Sequence, residues 1–154
     1  MKTSPLQSHG MPARVAALQM LYALELGGQD AQQVERWYVE AHPLAPPVRE
    51  RAGALVDAVV SHQAEIERLI GQHAKGWRLE RISVIDRSLL KLAAAELLLS
   101  KKWSGAAVEA VVRPVQRLAA KFSQPEAVSF VGGLIEAMAR DLRHAGAGAP
   151  VIGS

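Results

Sequence analysis

Two runs of basic side chains are the residues of this chain best suited to chemistry. Arg78, Arg81, Arg87 and Lys91 form one, and Lys101, Lys102, Arg113, Arg117 and Lys121 the other. Grouped guanidinium and ammonium ions neutralise phosphates, so a polyanion is the ligand they suggest if both runs face one side of the fold. Taken singly, each run reads as the solvated face of a helix. The balance of 18 Lys and Arg against 15 Asp and Glu, net +3, permits a polyanion without requiring one.

Catalytic and metal-binding patterns are missing. Cysteine is absent, which excludes disulfides, thiolate nucleophiles and cysteine-ligated metals. The five histidines are His9, His42, His62, His73 and His144, with no i, i+4 pair and no HExxH among them. Gly27-Gly28 lacks the frame of a phosphate loop, and Gly132-Gly133 falls inside a helical pattern instead of between a strand and a helix. No G-x-S-x-G elbow occurs. The expectation is a protein that is not an enzyme and takes no metal or cofactor. Two positions stay open. Gly132-Gly133 marks either the close approach of another helix or backbone access for a ligand. Glu96, in the run LAAAELLL, is either a solvated edge residue or a buried carboxylate paired with a base, because an unpaired one is costly to bury.

The elements that must position these residues read as helices nearly throughout. Aromatic residues are 5%, and no strict apolar–polar alternation is sustained. Residues 1–12, with Ser4, Pro5, Gly10 and Pro12, read as a flexible tail. A first helix is expected from near Ala13, carrying Val15, Leu18, Leu21, Tyr22 and Leu26 and ending at Gly27-Gly28. Asp30 and Gln33 have capping-box spacing and open a short helix that turns Val34, Trp37 and Tyr38 inward. Pro47 starts a third helix through Leu55 and Val59, with a bend or break before Ile66, Leu69 and Ile70. Ser83 and Asp86 form a second box ahead of Ile85, Leu89, Leu92, Ala93 and Leu97. Leu90, Leu98 and Leu99 widen that apolar arc, so this helix should be central. Ser104-Gly105 opens a helix through Val108, Val111, Val112, Val115 and Leu118. Ser123-Gln124-Pro125-Glu126, a third box, launches the last, with Val128, Val131, Leu134, Ile135, Met138 and Leu142. Residues 144–154 read as a second tail, leaving one helical domain over 13–143.

The 154 residues, 49% hydrophobic and 21% charged, suit one globular domain, and a chain of this size buries about 68–70% of its unfolded surface. No apolar run reaches the ~18–20 residues of a membrane span. The segment MKTSPLQSHGMPAR lacks the apolar stretch of a signal peptide. A cytoplasmic location is expected.

Three segments carry a family resemblance. Ile85-Asp86-Arg87-Ser88-Leu89-Leu90-Lys91-Leu92, followed by Ala95-Glu96-Leu97-Leu98, resembles the IDRxILRLAxYELL signature of the NusB family. Leu118-Ala119-Ala120-Lys121-Phe122 and Phe130-Val131-Gly132-Gly133-Leu134-Ile135-Glu136 are similar to its LAKxF…FVNGVLD, and Ala13 to Tyr22 to its ARxxALQxLY. The resemblance implies an all-α fold of about seven helices in two packed bundles. It also implies a transcription antitermination factor without catalysis or cofactor. NusB proteins pair with NusE, a small-subunit ribosomal protein. Together they bind the boxA element of nascent RNA and join an RNA polymerase antitermination complex, notably on rRNA operons.

Residue by residue, the resemblance and the basic runs point to Arg14, Lys91, Arg113, Arg117, Lys121, Glu126 and Phe130 for RNA. Arg14 would donate to phosphate or a base edge, and Phe130 would stack on a single-stranded base or sit in the core. Tyr22 and Asp86 fall where the family meets NusE, and the same surface could pair two copies of the chain. The chain departs from the family where Gly10, Met11 and Pro12 replace an arginine-rich run, where Arg113-Pro114 replaces Asn-Glu, and at Ala95 and Gly132. Loss of the arginine run supports a second reading, a helical protein–protein adaptor with weakened RNA binding. A third, an RNA-modifying enzyme, draws on NusB-like domains that precede some RNA methyltransferases. It lacks a cofactor loop here, and the chain is expected to end before such a domain.

Overall fold

A computed structural model describes residues 5–74 and 81–148. Among the described residues seven helices run in the order α1 (Pro5–Leu26), α2 (Ala31–Ala41), α3 (Pro46–Ser61), α4 (Gln63–His73), α5 (Val84–Ser100), α6 (Ala106–Phe122) and α7 (Pro125–Gly148). The described residues include no strand, and no helix among them is long and apolar enough to cross a membrane. Helices α1–α3 pack on one another, α6 and α7 form the closest pair of the second bundle with α4 beside α7, and α5 touches α1, α3, α4, α6 and α7.

Local chemistry sets most boundaries. Gly27 and Gly28 take φ of 84° and 92° after α1, a left-handed conformation in which other residues are strained. Asp30 and Gln33 cap α2 reciprocally, at 2.9 Å in each direction. α3 and α4 are separate helices joined at His62, as the bend required. At the start of α5, Ser83 Oγ accepts from the Asp86 amide at 3.2 Å. The Asp86 carboxylate does not complete the box. It accepts a hydrogen bond from the Ser123 hydroxyl at 2.6 Å, so it ties α5 to the α6–α7 joint. Pro125 is the first residue of α7, and Ser123, expected to open a capping box there, is the C-cap of α6 and spends its hydroxyl on Asp86.

Every residue from Ser88 to Leu97 is buried, so α5 is the axis on which the other helices pack. Three expectations change. α1 starts at Pro5, not near Ala13, and α7 continues past Arg143 to Gly148. Tertiary contact offsets the weak local propensity in both places. Met11 packs on the core, and Arg143 donates to the Trp103 carbonyl at 2.6 Å while Gly146 lies against the Trp103 ring. Third, Trp37 is 50% exposed. Val34 and Tyr38 define the buried line of α2, and Trp37, about 100° round the helix from Tyr38, falls outside it.

Candidate nucleic-acid interface

Arg113, Arg117 and Lys121 recur every fourth residue on α6 and all are exposed. Side chains at that spacing share one face, about 6 Å apart along the axis. Arg113 pairs loosely with Glu109 at 3.6 Å on the surface. Lys121 lies over the Phe122 ring at 5.3 Å. Arg117 has no ion-pair partner among the described residues. Three members of the second basic run, Arg113, Arg117 and Lys121, therefore share one positive stripe on α6.

At one end of the stripe lies a cleft of about 590 Å³ between α1, α3, α5 and α6, lined by Arg14, Arg51, Arg117, Glu96, Met11 and Pro114 among others. Glu96 is buried, and Arg14 holds it with two hydrogen bonds, Nε to Oε2 at 2.8 Å and Nη2 to Oε1 at 2.7 Å. This decides the open question about Glu96: it is buried and paired with a base. The remaining nitrogen, Nη1, lies beside Gly10, where a Cβ would stand 2.9 Å away. Arg51, on α3, was not among the sequence candidates. Nothing in its local pattern separates it from Arg49, and only the crossing of α3 over α1 and α5 brings it here.

At the other end, two depressions flank the first turn of α5. One, about 320 Å³, is lined by Arg81, Ile82, Ser83, Asp86, Glu126 and Phe130 among others. Phe130 is half-buried, packed on the core and also forming a wall of this depression. The second, about 540 Å³, is lined by Leu18, Gln19, Tyr22, Val84, Ile85 and Phe122, with Ser83 common to both. Tyr22 and Phe122 are exposed there. Asp86 and Tyr22 thus stand on opposite sides of one helical turn.

Lys91 departs from expectation. It is 7% exposed and its ammonium pairs with Glu25 and with Glu67, the latter at 3.6 Å. Arg87 reaches the same Glu25 at 3.1 Å. A helix buried on all sides has no solvated face on which to place these cations, so their charge is met internally by carboxylates. Lys91 is thereby withdrawn from the exposed basic set, and Arg87 and Lys91 form no solvated face. Arg81 remains exposed, and Arg78 lies outside the described residues.

Gly132 meets the Gln116 side chain of α6, which donates to the Val128 carbonyl at 3.0 Å, so close helix approach accounts for it. Gly133 faces open space. Between α2 and α3, burial and the neighbouring Asp57, by charge and hydrogen bond, push the Glu35 carboxyl up from 4.5 to about 7. Among the described residues no group of three His, Asp or Glu is placed to hold a metal.

Residues 11–140 match the model of the NusB family. A transcription antitermination protein NusB from Koribacter versatilis (strain Ellin345) is 35% identical over 131 residues, covering 84% of this chain and 88% of that protein. Among solved structures, the complex of antitermination factors NusB and NusE with double-stranded RNA superposes with a TM-score of 0.77 at 27% identity, over 87% of this chain and 98% of the other. The solution structure of NusB from Aquifex aeolicus gives 0.74 at 28% identity, over 95% and 98%.

Proposed function

The chain belongs to the NusB family, and from that membership we propose that it acts in transcription antitermination, binding boxA-type single-stranded RNA together with NusE, notably on rRNA operons. The observation that carries the RNA half of this reading is the exposed Arg113–Arg117–Lys121 stripe on α6, which runs between the arginine cleft and the Tyr22 groove. Phosphates along a strand meet cations set about one helical turn apart, and the contacts release counterions. Phe130, at the edge of the Asp86 depression with Glu126, would stack on an unpaired base. Tyr22 and Asp86 offer NusE an apolar groove with a carboxylate next to it. RNA polymerase is engaged indirectly, through the assembly, in the cytoplasm, and without NusE a second copy of the chain could cover the same groove. The protein captures RNA without altering it.

One observation favours the adaptor reading instead. Arg14, the residue left where the family has an arginine run, spends two of its three guanidinium nitrogens on Glu96. Titration with boxA-like RNA, with and without NusE, separates the two. Antitermination predicts RNA binding that strengthens with NusE, falls with salt, and drops on charge reversal of Arg113, Arg117 and Lys121. NusE binding with no gain in RNA affinity would instead establish the adaptor. Because the solved relative holds a duplex, a double-stranded competitor tests the preference for single strands.

A further inference from the structure

The cleft at the C-terminal end of α5 holds more positive charge than its own fold uses. Three arginines, Arg14, Arg51 and Arg117, surround a single carboxylate, Glu96. That carboxylate is fully engaged by Nε and Nη2 of Arg14. Neither Arg51 nor Arg117 has an ion-pair partner among the described residues. They approach from different helices, α3 and α6, across a space of about 590 Å³, ample for a phosphate with its ribose. Apolar side chains, including Met11, Leu55 and Leu99, form part of the lining.

We propose that this cleft binds one phosphodiester group of the RNA, with Arg51 and Arg117 as its direct ligands and Arg14 as a third donor held in place by Glu96. The proposal rests on the RNA-binding reading above and adds to it a site and a residue, Arg51. A guanidinium fork matches two phosphate oxygens at once, which an ammonium does not. Glu96 fixes the plane of Arg14 and leaves Nη1 as the nitrogen it does not use, beside the side-chain-free Gly10. The Glu96 charge is already offset by Arg14, so an entering phosphate meets two uncompensated cations.

The test compares the full chain with R51Q/R117Q and with R36Q, which removes a cation from an exposed position on α2 outside the cleft. Each is titrated with boxA-like RNA and NusE over a range of salt. The double variant should bind at least tenfold more weakly, and the slope of log affinity against log salt should flatten by about 0.7, since a single strand contributes about 0.7 per phosphate neutralised. R36Q should match the parent chain. Unchanged affinity and slope in the double variant, or an equal loss in R36Q, overturns the proposal and leaves the RNA reading to Arg113 and Lys121. No RNA binding by the parent chain overturns both. Melting in inorganic phosphate forms a second arm: a phosphate-dependent rise lost in the double variant, with RNA affinity unchanged, would assign the cleft to free anions and overturn the RNA assignment. If the double variant does not fold, R51K/R117K carries the test, with a retained slope and a severalfold loss of affinity expected. Unchanged affinity there is also decisive against the proposal.

Discussion

Arg14 and Glu96, on α1 and α5, form a two-bond pair of 2.7 and 2.8 Å in which the carboxylate is 4% exposed and the arginine 18%. Such a pair is asymmetric. Removing the arginine leaves a charge in the core, whereas removing the carboxylate leaves a guanidinium at the edge of an open cleft. Arg14→Met should cost about 3–5 kcal/mol, in the range for breaking a buried pair. Glu96→Gln should cost clearly less, because the amide oxygen still accepts one bond and Arg14 can turn to solvent. Urea unfolding of both variants checks the order; equal losses, or a loss below about 0.5 kcal/mol for Arg14→Met, would contradict it.

The two adjacent glycines of α7 should respond differently to alanine. Gly133 faces open space, so Gly133→Ala should raise stability by about 1 kcal/mol through helix propensity alone. At Gly132 the new methyl collides with the Gln116 side chain and displaces its bond to the Val128 carbonyl, worth about 1 kcal/mol. Gly132→Ala should therefore show no net gain. Thermal melts of the two variants side by side decide this, and an equal rise in both would refute the assignment.

Glu35 should give the protein a pH dependence between 4.5 and 7. Its carboxyl is raised, first by burial and then by Asp57, so the folded state holds a proton that the unfolded state releases. The stability from this group is full below pH 4.5 and is lost as pH rises through about 7. Glu35→Gln keeps a neutral side chain at all pH values. It should be more stable than the parent above pH 7 and should lose the decline across this window. Denaturant midpoints at pH 4.5, 6 and 8 measure the difference between the two proteins; parallel profiles would remove Glu35 as the cause.

Tyr22 should matter to NusE and little to the fold. Its ring is 40% exposed in the groove with Ile85 and Phe122. Tyr22→Ala should weaken NusE binding by about 1–2 kcal/mol, roughly five- to thirtyfold, as for an aromatic anchor at an interface. Calorimetric titration measures this, and an unchanged unfolding midpoint shows that the loss is at the surface. Full NusE affinity in this variant would move the contact away from the groove.

The helices were legible where local chemistry governs them. The reciprocal cap of Asp30 and Gln33, the break at His62 and the all-round apolar character of α5 are each written in a few neighbouring residues. Tertiary contact decided the rest. Residues 5–12 contain two prolines and a glycine, and their helix depends on Met11 reaching the core and on the space Gly10 leaves beside Arg14. Lys91 looked like a solvated cation because its partners, Glu25 and Glu67, lie in α1 and α4. Its apolar neighbours Leu90 and Leu92 were the available signal, since a lysine between them on a central helix has little water to reach. Local spacing makes Asp86 a capping acid, whereas its bond to Ser123 joins segments that sequence spacing does not relate. Arg51 carried no local signal at all.

Because α5 is enclosed from Ser88 to Ala95, its middle turns can meet no visiting molecule. Recognition is left to its two extremities: Ser83 and Asp86 at one, Glu96 and Ser100 at the other. Substitutions along the interior can alter how well the molecule holds together but not what it greets. The rod thus works as a spacer of about 15 Å between its polar ends at Asp86 and Glu96, set by the helical rise, and holds the arginine cleft and the Asp86 depression at a constant separation.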